Sequence, residues 1–147
     1  MRKVEVTVRN IQKKIPINPR EIKKLVLDIL AIERNRKPGQ VNICFVTSSA
    51  IRKLNRKFHN TDSATDVLSF DMGDKARLMI ELAISSGAAI SYSKSVKTNP
   101  LWELYLYVIH GILHVLGYDD ITPRQKLKMD KRQELILKKL IKKDVYS

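Results

Sequence analysis

With 44% hydrophobic and 29% charged residues among 147, and only five Gly and five Pro, the chain has the makeup of one globular domain. Disordered and collagen-like classes are excluded. Its 28 Lys and Arg against 15 Asp and Glu leave a net charge of +13, which favours polyanionic partners: RNA, DNA or an anionic membrane surface.

Met1 to Val8 alternates charged and apolar residues, so no export signal is expected and the cytoplasm is the expected location. Within that stretch Val4, Val6 and Val8 share one face at a period of two, which predicts a first strand. Asn18-Pro19-Arg20-Glu21 offers a cap, a proline for the first helical position and a carboxylate able to reach back to the cap. The helix that follows carries an apolar stripe of Ile22, Leu25, Val26, Ile29 and Leu30. Arg34, Arg36 and Lys37 suit its negative end, and Pro38-Gly39 ends it.

Gln40 to Thr47 is apolar enough on both faces to predict an interior strand. The single cysteine, Cys44, lies in it, where a buried thiol in a reducing compartment is expected. Ser48 and Ser49 can cap a short helix over Ala50–Phe58. Ile51, Leu54 and Phe58 should face inward there, leaving Arg52, Lys53, Arg56 and Lys57 for solvent or phosphate.

Asp66–Met72 and Leu78–Ser85 predict two strands joined near Gly73-Asp74. Gly87–Lys97, rich in serine, is a weaker helix. Asn99-Pro100 opens the strongest one, apolar nearly all round up to Leu116 and therefore buried. Its apolar segment, Leu101 to Leu116, is interrupted by Glu103, His110, Gly111 and His114 and at 16 residues falls short of the roughly 20 a bilayer span needs, so no membrane anchor is expected. Thr122-Pro123 begins a last basic helix reaching about Lys142. Residues 1–147 are expected to form a single α+β domain.

The chemistry concentrates in His110-Gly111-Ile112-Leu113-His114-Val115-Leu116-Gly117-Tyr118-Asp119-Asp120. Histidines four apart stack on one helical face, close enough to share an ion. Gly117 turns the chain back so that Asp120 can reach the same point, with Asp119 the rival third ligand. Two imidazoles and a carboxylate leave a fourth position for water, as catalytic zinc sites do, although the set also suits iron(II) or nickel. The competing reading is a pair of hydrogen-bonded core histidines beside a charge for the last helix.

This string resembles the His-Gly-x-Leu-His-x-x-Gly-Tyr-Asp-His signature of the YbeY endoribonucleases at every specified position through Asp119. Leu54-Asn55-Arg56 and Thr65-Asp66-Val67-Leu68-Ser69-Phe70 resemble further segments of that family, and the likeness extends over about Val41 to Lys139. The resemblance implies a single zincin-like domain, with a mixed sheet of about four strands and a central buried metal-binding helix. It further implies a zinc-dependent, single-strand-specific endoribonuclease that matures rRNA at the 16S 3′ end, takes part in ribosome quality control and partners the ribosome or its small subunit.

Three positions depart from the family pattern. Asp120 stands where the third histidine is usual, a harder and negatively charged ligand. His59 stands where an arginine usually follows Phe58, so His59 or Arg56 is expected to take the catalytic role. Met79-Ile80-Glu81-Leu82 keeps a carboxylate but loses a glycine. Lys53, Arg56 and Lys57 are the expected RNA-binding residues, with a solvated helix face as the alternative.

Two other functions share some of these features. The histidine spacing is also that of metzincin-like metallopeptidases, but those place a glutamate after the first histidine and this chain has Gly111. A non-enzymatic RNA- or ribosome-binding protein braced by structural zinc is the other.

Overall fold

The computed structural model describes residues 3–140. In chain order the elements are β1 (Val4–Asn10), α1 (Pro19–Ile32), β2 (Gly39–Val46), α2 (Ser48–His59), β3 (Val67–Asp71), β4 (Leu78–Ser85), α3 (Ser86–Val96), α4 (Pro100–Val115) and α5 (Pro123–Leu140). The end of the last predicted helix at Lys142 lies outside the described residues.

The strands form one mixed sheet in the order β1-β2-β4-β3. β1, β2 and β4 run parallel, while β3 returns antiparallel to β4 as the edge strand, joined through the Gly73-Asp74 turn. The interior strand and the hairpin expected from the sequence are therefore both present. Gly39 takes a positive φ of 157° where the chain enters β2, and a Cβ there would lie 1.8 Å from the Leu78 carbonyl oxygen. Only a hydrogen fits between these paired backbones.

Because side chains alternate across a strand, the sheet has two unlike faces. Val41, Ile43, Phe45, Ile80, Leu82 and Ile84 belong to the main core, with α1 and α4 packed against it. The other face holds a small cluster of Val46, Leu68 and Ala83 under Ile51 of α2. Beyond α2 this outer face is polar. Glu81 accepts a hydrogen bond from Asn42 Nδ2 at 2.7 Å, and Asn42 Oδ1 accepts from the Thr7 hydroxyl at 2.5 Å.

Several local expectations need correction. Asn18 caps α1 by accepting from the Arg20 N–H, but Glu21 does not close a capping box; it accepts from the Tyr105 hydroxyl at 2.7 Å and ties α1 to α4. α1 stops at Ile32, so Arg34, Arg36 and Lys37 fall in the following loop, where Arg34 adopts a positive φ of 57°. The cap of α2 is Thr47, whose side chain accepts from the Ala50 N–H, while Ser48 and Ser49 are already helical. Cys44 faces the polar side and is half-buried, since every second residue of β2 points away from the main core. Burial still pushes its thiol pKa upward.

Candidate active site

α4 begins with Asn99 accepting from the Leu101 N–H and Pro100 in the first turn, and it buries eight residues from Glu103 to Leu113. Gly111 sets how closely it approaches the sheet: a Cβ there would meet Leu82 Cδ2 at 2.8 Å and Val67 Cγ2 at 3.2 Å. Position 111 is thus buried against β3 and β4 and has no room for the general-base glutamate of a metallopeptidase. The expectation of burial all round is corrected at one stripe. His110 is only half-buried and His114 is exposed, because their common face looks away from the strands.

At the end of α4 the Tyr118 N–H bonds to the Leu113 carbonyl at 3.0 Å and the Gly117 N–H to the His114 carbonyl at 3.1 Å. This paired closure needs a left-handed residue, supplied by Gly117 at φ 112°. The chain folds back, and Asp120 Oδ2 comes to 3.9 Å from His110 Nε2. Asp119 instead lines a separate cleft with Tyr118, Gln125 and Lys128.

The other nitrogen of His110 is engaged from α5: Nδ1–H donates to Gln133 Oε1 at 2.6 Å. Gln133 is one polar residue among many on a basic helix and nothing in its own surroundings in the sequence marks it; the signal that points to it is a ligand-type histidine on a neighbouring helix that needs an acceptor for its other ring nitrogen. With Nδ1 committed as donor, Nε2 of neutral His110 presents its lone pair on the Asp120 side.

Two imidazoles and a carboxylate, one imidazole held from behind, fit a divalent transition metal in donor chemistry. His110 and Asp120 are paired and His114 stands one turn further along. Among the described residues, however, no three His, Cys, Asp or Glu side chains are drawn together into a metal-holding group. Convergence requires His114 and Asp120, both exposed, to turn inward.

The remaining predicted residues lie across the sheet on α2. Lys53, Arg56 and Lys57 are exposed, as expected. Asp62 accepts from Arg52 Nε and Nη2 at 2.8 and 3.2 Å and lies 4.0 Å from Arg56 Nη1. Arg52 holds the Asp62 carboxyl below the usual carboxylate range. His59 stacks on Phe70, with ring centroids 5.5 Å apart and planes 14° from parallel. Phe58, expected inside, is 56% exposed and meets Phe70 edge-on. Contacts of Arg56 and His59 thus run to Asp62 and Phe70, while His110 and Asp120 form a second group with Gln133 of α5.

A family model described as Endoribonuclease YbeY matches residues 7–141. The chain is 30% identical to the Endoribonuclease YbeY of Alkaliphilus metalliredigens, over 91% of its own length and 94% of that protein's. It is 32% identical to the protein of the same description from Acetivibrio thermocellus, covering 93% and 97%. The fold is similar to the solution structure of TM1509 from Thermotoga maritima, with a TM-score of 0.67 at 23% identity, over 92% of this chain and 88% of that one.

Proposed function

The chain belongs to the YbeY endoribonuclease family, and from that premise we propose that it is a metal-dependent endoribonuclease selective for single-stranded RNA. Its proposed role is maturation of the 3′ end of 16S rRNA and removal of defective RNA, in the cytoplasm and in association with the ribosome. The observation that carries the reading is the return of Asp120 to His110 with Gln133 behind the imidazole, which is how a ligand set is oriented in a zincin-like arrangement.

In this reading His110, His114 and Asp120 hold one zinc ion, with iron(II) or nickel as alternative occupants. When bound, such an ion supplies Lewis-acid activation at the scissile phosphate. Gln133 keeps His110 in one tautomer, and Lys53, Arg56 and Lys57 attract and orient the phosphate backbone. His59, in place of the usual arginine, acts at the phosphate through its ring nitrogens, with Arg56 as the neighbouring cation. The basic face and the net charge of +13 suit a polyanionic substrate, and among the described residues no helix is long and apolar enough to cross a membrane.

The test is cleavage of a single-stranded rRNA fragment by the wild-type protein and His114→Ala, with and without a chelator. The expected result is a rate loss of at least about a hundredfold in the variant and in the chelated enzyme, the latter reversed by added zinc. Equal rates in all samples would sink the metal-dependent reading. Accumulation of rRNA with an unprocessed 3′ end in depleted cells tests the biological role.

A further inference from the structure

Phe58 shares the inward face of α2 with Ile51 and Leu54, but it lies outside the small cluster that covers those two residues. Its ring is 56% exposed and rests edge-on against Phe70, at 5.6 Å and 68°. The next residue, His59, lies flat on the same Phe70 ring and is itself exposed. Phe70 is the anchored member: it sits on the outer face of β3, opposite Glu81 in the ladder, and packs against the small cluster beneath α2. Three rings therefore meet at an open surface instead of closing a core.

Cations share the same helix. Lys57 Nζ stands 5.3 Å over the Phe58 ring, and Lys53 and Arg56 are exposed on the same short helix. A patch of exposed rings interleaved with Lys and Arg is complementary to a flat heterocycle attached to a phosphate, and an apolar peptide would leave those charges unanswered. Bases inside a duplex have no free face to offer, so such a surface selects unpaired nucleotides.

We propose that Phe58 and His59, seated on Phe70, form a stacking platform for an unpaired base of an RNA strand. The parallel His59–Phe70 pair extends by one further ring on its outer side. A base over Phe58 displaces Lys57 from the ring and leaves its ammonium for the adjoining phosphate. β3 links this platform to α4, whose Gly111 packs on Val67 of β3. This inference rests on the endoribonuclease reading and adds to it the origin of single-strand preference.

The probe is a short single-stranded RNA carrying one fluorescent purine analogue, compared with the same sequence in a duplex, in chelator so that binding is read without cutting. Wild type should quench the analogue and prefer the single strand. Phe58→Leu and His59→Ala should each weaken binding about tenfold, and Phe58→Trp should restore it, with thermal unfolding confirming that all variants fold. The aromatic variants should leave the salt dependence unchanged, whereas Lys57→Gln should lower its logarithmic slope by about 0.7. Full affinity and quenching in Phe58→Leu and His59→Ala would overturn the platform while a cleaving wild type kept the nuclease reading. A wild type that neither bound nor cut RNA would overturn both.

Discussion

The Nδ1–H of His110 donates to Gln133 Oε1 across 2.6 Å, joining α4 to α5 at the first of the two motif histidines. The bond fixes the ring plane and leaves Nε2 on the side to which the Gly117 turn returns Asp120. Outer partners of this kind typically change metal affinity by about 10- to 100-fold when removed. Gln133→Ala should therefore bind zinc at least about tenfold more weakly in a competitive titration with a chromogenic chelator, and Gln133→Glu should recover most of the loss. Unaltered affinity in Gln133→Ala would show that the bond has no part in holding the ligand.

Two glycines rank differently. At Gly39 a Cβ meets the Leu78 backbone at 1.8 Å, and backbone in a paired strand cannot withdraw; at Gly111 the nearest atom is the end of the Leu82 side chain, 2.8 Å away. Gly111→Ala also gains helix propensity of up to about 1 kcal/mol, which offsets part of an overpacking cost of about 1–3 kcal/mol. Denaturant midpoints should show a net loss of about 1 kcal/mol for Gly111→Ala and at least about 2 kcal/mol for Gly39→Ala. The reverse ranking would contradict the packing described.

Asp62 restrains the basic face of α2 by binding Arg52 and lying near Arg56. Asp62→Asn should release both guanidinium groups and tighten single-stranded RNA binding about threefold, with a steeper salt dependence. Because Arg52 depresses the Asp62 pKa, the stability this pair contributes is fully present above the ordinary carboxylate range and is lost as pH falls through the lowered value. Acidification should therefore abolish the difference in RNA affinity between wild type and variant. A variant with unchanged affinity at neutral pH would remove Asp62 from the control of this face.

Glu103 shows the opposite sign. It is 3% exposed, and burial raises its pKa, partly countered by the Thr98 hydroxyl donating at 2.8 Å. The folded state holds this proton more tightly than the unfolded chain, so stability declines as pH rises from the ordinary glutamate value to the raised one. Glu103→Gln should lack that decline, matching wild type in acid and exceeding it at neutral pH. Chemical denaturation across this range checks the sign: a wild type that gains on the variant with rising pH excludes the burial effect.

Periodicity sufficed for the order of the elements, since alternating valines in β1, the covered β2 and the apolar α4 each specify a local geometry whatever they pack against. The Gly117 turn was legible too, because a left-handed helix end is a local backbone requirement that glycine meets. So was the placement of His110 and His114 on one face, which follows from 3.6 residues per turn. Which partners complete that face could not be read along the chain. Gln133 is 23 residues from His110, and their meeting depends on how α5 crosses α4. Phe58 fits an inward helical position by spacing, yet α2 rests on the narrow outer cluster of the sheet and leaves no interior for its ring. Local sequence determines which way a side chain points along its own element; the packing of elements decides what, if anything, lies in front of it.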